Sequence, residues 1–152
     1  MAHIHEKIDF TASVYVVRDG KVLLHQHKTL GIWLPPGGHI ELDEDPNQTA
    51  VREVKEETGL TVELVGRGRI KKAPTDNSQD LLVPMFLNRH HVTDAHEHVD
   101  HVYFAQSLEG VVVSEEGSEF VWVAREQIEQ NTISLLDAPH AYALAAIDYF
   151  AK

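Results

Sequence analysis

Between Gly38 and Leu60 the chain reads GHIELDEDPNQTAVREVKEETGL, and the spacing within this stretch constrains the fold more than any other feature. Gly38 is followed after five residues by Glu44, and seven residues later comes Arg52-Glu53-Val54-Lys55-Glu56-Glu57-Thr58-Gly59-Leu60. The pattern is G-x5-E-x7-R-E-V-x-E-E-x-G-L. Pro46 stands where a first helical turn tolerates a missing N–H, with Asp45 before it as the N-cap. The run PNQTAVREVKEET has helix-forming composition and stops at Gly59, a natural C′ residue. The spacing therefore predicts a helix with Glu53, Glu56 and Glu57 on one face, at i, i+3 and i+4. Ala50 and Val54 form a stripe facing a core.

Such a row of carboxylates repels itself, at a cost of roughly 0.2–0.5 kcal/mol per pair in an isolated helix. Hard divalent cations such as Mg²⁺ or Mn²⁺ would offset that repulsion, since they prefer oxygen ligands and bridge to phosphates. A solvated face on an acidic protein is the bland account of three glutamates alone. It does not account for Gly38, Glu44, Arg52 and Gly59 standing in register with them.

The whole 23-residue pattern resembles the signature of the Nudix hydrolases, with every fixed position filled. The resemblance implies an α/β fold, a Nudix-type α/β/α sandwich with a mixed central β-sheet. It implies an enzyme cleaving a phosphoanhydride, a nucleoside diphosphate linked to some other group, with Mg²⁺ (or Mn²⁺) as cofactor. By matching position, Glu53, Glu56, Glu57 and the Gly38 carbonyl look like the metal ligands. Arg52 looks like the partner that holds a signature glutamate in place. Glu44 looks structural or one step removed from the metal, and Gly59 looks structural. In such an enzyme metals neutralise developing charge and activate water.

The rest of the chain is similar to that fold, more weakly. FTASVYVVRDGKVLLHQHK holds two β-rich runs joined by Asp19-Gly20, a strong hairpin signal, with Val14, Val16 and Val22, Leu24 alternating. GIWLPPGG is a rigid turn-rich segment delivering Trp33 and Leu34 to the core and Gly38 to the site. TVELVGRGRI reads as a strand with Gly66 and Gly68 as candidate bulges, and residues 71–80 as an exposed loop. LLVPMFLNRHHV and HVDHVYFAQS read as two more strands, the first with an edge or bulge at Pro84. EGSEFVWVA is the last strand, with Phe120 and Trp122 on one face, and REQIEQN is a helical turn or more. DAPHAYALAAIDYF is a helix started by Asp137, packing through Ala138, Tyr142, Ala145 and Tyr149 or through Leu144 and Ile147.

A chain of 152 residues fits a single domain, 1–152, with a sizeable core. Hydrophobic content is 43% with no apolar run near the roughly 18 residues of a membrane span. MAHIHEKIDF lacks the apolar stretch of a secretory leader, so a cytoplasmic location is the default expectation. Without cysteine there are neither disulfides nor zinc thiolates. A net charge of −11 argues against a nucleic-acid-coating surface and for a small, metal-chelated polyphosphate as partner. A homodimer is compatible with all of this.

The general base stays open at this level. In some relatives it is a helix glutamate, which points to Glu56 or Glu57; in others it comes from the loop before the last strand. That loop reads SEEGSEF here and offers Glu115, Glu116 and Glu119, of which Glu116 and Glu119 are the better placed. Of eleven histidines, His90, His91, His96, His98 and His101 crowd into twelve residues. His96 and His98 share a strand face and His101 points the other way, so the group reads as surface or substrate-stacking residues rather than a zinc site. His39, beside Gly38, is placed to approach a phosphate or to be an ordinary loop residue. The short chain looks more like MutT-type nucleotide hydrolases, which favours a nucleoside triphosphate or related small nucleotide. ADP-ribose or nucleotide-sugar cleavage (for which Pro74 is the one marker), RNA 5′-end processing, and a catalytically silent sensor are the alternatives.

Overall fold

A computed structural model describes residues 5–67, 77–110, 112–113 and 119–152. Strands β1 (Ile8–Arg18) and β2 (Lys21–Gln26) form the expected hairpin. Asp19 and Gly20 between them have φ of 48° and 71°, the left-handed pair that a two-residue turn needs to match strand twist. The short strands β3 (Trp33–Leu34) and β4 (Gly37–His39) follow, then helix α1 (Pro46–Thr58) and strand β5 (Glu63–Val65). Strands β6 (Phe86–Thr93), β7 (His96–Gln106) and β8 (Phe120–Ala124) complete an eight-stranded sheet. Helices α2 (Arg125–Glu129) and α3 (Asp137–Phe150) close the chain.

The sheet is mixed, as expected. Its centre is the parallel pair β1 and β7, in register from Ile8 beside Glu97 to Val17 beside Gln106. The other pairings are antiparallel: β4 on β1, β5 and β6 on β7, β3 and β8 on β2. Because both faces of the centre are covered, successive residues of β1 are all buried, Val14, Tyr15, Val16 and Val17 alike. On one face Tyr15, Val17, Val102 and Phe104 meet α3; on the other Val14, Val16, Tyr103 and Ala105 meet Ala50 and Val54 of α1. No helix among the described residues is long and apolar enough to cross a membrane.

Helix α1 has the predicted ends. The Asp45 side chain accepts from the Gln48 N–H, Gln48 returns the bond to the Asp45 N–H, and Gly59 ends the helix at φ 74°. Other boundaries moved. Strand β6 begins at Phe86, after Pro84, while Val83 forms an isolated bridge with Arg67, because proline supplies no ladder N–H. Gly66 is a close approach: a Cβ there would stand 2.5 Å from the Val83 carbonyl. Gly68 and Pro74 lie outside the described residues. Helix α3 is capped by Leu136, so Asp137 occupies the first turn, where its charge suits the helix dipole. Its buried face is Ala143, Ala146 and Ile147, flanked by Tyr142 and Phe150, while Tyr149 is exposed. Leu144 and Ala145 also pack against that core, so the expected pair Leu144 and Ile147 lies on the packing side and Ala143 and Ala146 extend it.

Candidate active site

Strand β4 is held against β1 with Gly37 opposite Ser13 and Gly38 opposite Ala12. A Cβ at Gly37 would stand 2.5 Å from the Ala12 carbonyl oxygen and 2.9 Å from the Ser13 Cα, so only glycine permits this approach. The Gly37 N–H donates to Glu57 Oε1 at 2.8 Å. Gly38 lies so near the Glu53 carboxyl group that a Cβ would be 2.5 Å from its Cδ. Strand and helix thus interlock through Gly37, Gly38 and two glutamates of the signature, Glu57 and Glu53.

Arg52 organises the remainder. Its Nε and Nη2 grip Glu44 as a fork, at 2.5 Å and 3.0 Å, and Nη1 donates to Glu53 Oε1 at 2.9 Å and Glu56 Oε2 at 3.1 Å. Nη2 also reaches the His39 carbonyl at 3.2 Å. The resemblance implied one glutamate held by Arg52; the geometry shows three. Hydrogen bonds from Arg52 and then from the Thr49 hydroxyl, at 2.6 Å, hold the Glu44 carboxyl down at about 2. Glu53 is shifted the other way, raised by burial against the opposing pull of Arg52, with Glu56 and Glu44 adding like charge. A half-buried carboxylate crowded by two others, beside a glycine, is an all-oxygen donor set that fits a hard divalent cation.

Glu44 yields a pH prediction. Its carboxylate is lowered from an ordinary 4.5 to about 2, so its contribution to stability is complete above about 4.5 and is lost as pH falls towards 2. The gap in thermal midpoint between the native chain and Glu44→Gln, in metal-free buffer, is expected to close across that window. A gap that stays constant from neutral pH to pH 2 would show that the Glu44 charge adds nothing.

Above Gly37 and Gly38 opens a cleft of about 580 Å³, lined on one side by Glu57 and on the others by Tyr15, Leu34, Pro35, Asp100 and Tyr142, among others. Glu57 is the one signature glutamate in that lining. Asp100 accepts from the Thr11 hydroxyl at 2.8 Å and the Ser13 hydroxyl at 2.6 Å. The sequence reading did not single out Asp100; its trace was a charged residue on the face of HVDHVYF that continues into Val102 and Phe104. Of the loop carboxylates, Glu115 and Glu116 lie outside the described residues. Glu119 is exposed just before β8 and does not line the cleft.

The NUDIX domain family matches residues 8–146, and the chain belongs to that family of hydrolases. It is 32% identical to the crystal structure of a NUDIX-family hydrolase from Clostridium perfringens, with a TM-score of 0.80, covering 93% of this chain and 97% of that one. It is 47% identical over 53 residues to a MutT-like protein of Streptomyces ambofaciens, a stretch covering 35% of this chain and only 34% of that protein. A CTP pyrophosphohydrolase of Escherichia coli is 27% identical over 144 residues, covering 92% of this chain and 93% of the relative.

Proposed function

We propose that the protein is a Mg²⁺-dependent (or Mn²⁺-dependent) pyrophosphohydrolase of small nucleotides, with a nucleoside triphosphate or a close relative as substrate, and that residues 1–152 form a single domain of this kind. The carrying observation is the position of Glu57, which belongs to the carboxylate row of α1 and also lines the cleft beside Gly37 and Gly38. The family supports anhydride chemistry, and the named activity of the E. coli relative supports the nucleotide class. A net charge of −11 disfavours a long RNA as substrate.

In this reading Glu53, Glu56, Glu57 and the Gly38 carbonyl would hold the cation, which supplies neutralisation of charge on the phosphoryl oxygens and a more acidic water. The apolar wall formed by Tyr15, Leu34, Pro35 and Tyr142 accepts the nucleoside half, and Asp100, fixed by two hydroxyls, orients its polar edge. The diphosphate then extends towards Gly38 and Glu57. Arg52 aims Glu53 and Glu56, and Glu44 fixes Arg52. Glu56 or Glu57 takes the proton from the attacking water.

The test is a panel of nucleotides incubated with Mg²⁺ in ¹⁸O-labelled water. The expected products are a nucleoside monophosphate plus pyrophosphate or a second phosphorylated group, with label on a phosphate oxygen of one product. Metal-dependent turnover of monophosphate esters, with none of any diphosphate compound, would assign a different reaction.

A further inference from the structure

We propose a second metal site, for a transition-metal ion such as Zn²⁺, formed by Asp9, His39, His96 and His98, of which His39 and His98 also line the cleft. One donor atom from each of the four lies within 4.8 Å of every other. The set shares no residue with the signature glutamates.

Strand pairing produces the convergence. Parallel register sets Asp9 beside His98, and antiparallel register sets His39 beside Thr11, two residues further along the same face of β1. His96 precedes His98 by two on β7 and so shares that face. His101 turns to the opposite face, with Nδ1 2.9 Å from the Thr11 carbonyl. From the sequence the β7 histidines read as surface or stacking residues, because His101 points away from His96 and His98 and the chain has no cysteine. The fold adds two further donors to His96 and His98, Asp9 from β1 and His39 from β4.

The spacings suit a metal. A tetrahedral ion with ligands at about 2.0–2.2 Å holds its donors about 3.3–3.6 Å apart. Asp9 Oδ2 already stands 3.1 Å from His96 Nε2 and 3.5 Å from His39 Nε2. The His98 ring lies 5.0 Å from that of His39 and 5.2 Å from that of His96, centroid to centroid. All four side chains are partly or fully exposed, so an ion has a path in. Three imidazoles with one carboxylate favour borderline metals such as Zn²⁺, Co²⁺ or Ni²⁺ over Mg²⁺, which takes oxygen.

The test is calorimetric titration of the full-length, tag-free protein with Zn²⁺ in the presence of millimolar Mg²⁺, repeated with Co²⁺ and its visible absorption. One equivalent is expected to bind, with the absorption of a tetrahedral Co²⁺ centre. His96→Ala/His98→Ala should weaken binding by about a hundredfold or more, and Asp9→Asn should weaken it less. His3→Ala/His5→Ala, which removes another pair at the same sequence spacing, should leave it unchanged. Circular dichroism verifies folding of each variant, and Asp9→Asn serves as the readout if the double variant does not fold. Zn²⁺ binding that survives both changes, that disappears with His3 and His5, or that Mg²⁺ abolishes by competition would overturn the proposal. So would the absence of stoichiometric binding.

Discussion

Glu57→Gln is expected to lower kcat by at least about two orders of magnitude, on the order of 3 kcal/mol of transition-state stabilisation, with the fold intact. The substitution is nearly isosteric, and the amide oxygen of glutamine can still accept the Gly37 N–H that Glu57 Oε1 accepts at 2.8 Å. What it removes is the negative charge at the junction of helix and cleft. In metal-free buffer the thermal midpoint should hold or rise, because a like charge four residues on from Glu53 along the helix is gone. This split between stability and turnover separates a ligand from a mere strut. Steady-state kinetics across a Mg²⁺ titration reads it directly: full activity with an ordinary Mg²⁺ response would take Glu57 out of the catalytic machinery.

The helix was legible in the sequence because its information is local. Cap, apolar stripe and carboxylate row all fall within the 13 residues of α1 and their immediate neighbours, and each follows from a fixed helical period. The hairpin at Asp19-Gly20 was legible for the same reason. The cleft was not, because Thr11 and Asp100 meet across 89 residues through a parallel pairing that no periodicity announces. The same pairing brings Asp9 to His98. For α3 the period and one of the two expected faces hold: Ile147 is buried and Leu144 packs beside it, while Ala143 and Ala146 join them. Several faces of DAPHAYALAAIDYF carry apolar residues, so the helix alone does not choose between them; the sheet it packs on does.

The two adjacent glycines of β4 should fail in different ways when each gains a methyl group. At Gly38 the new Cβ would meet the Glu53 carboxyl group, the far end of a flexible side chain. That group can swing aside at little cost to folding, but it then leaves both Arg52 and the neighbourhood of Glu56 and Glu57. Gly38→Ala is therefore expected to fold with a nearly unchanged midpoint and to lose about a hundredfold or more in kcat, since a displacement of about 1 Å in a catalytic group has that scale. At Gly37 the new Cβ would meet the backbone of Ala12 and Ser13, in the buried centre of the sheet, which cannot swing aside. Gly37→Ala should therefore lose roughly 1–3 kcal/mol of stability, the usual cost of overpacking. Chemical denaturation and kcat measured side by side on the two variants distinguish these outcomes. If Gly38→Ala keeps native turnover, the position of Glu53 beside Gly38 has no part in the chemistry, and the cation must be held by the other carboxylates alone.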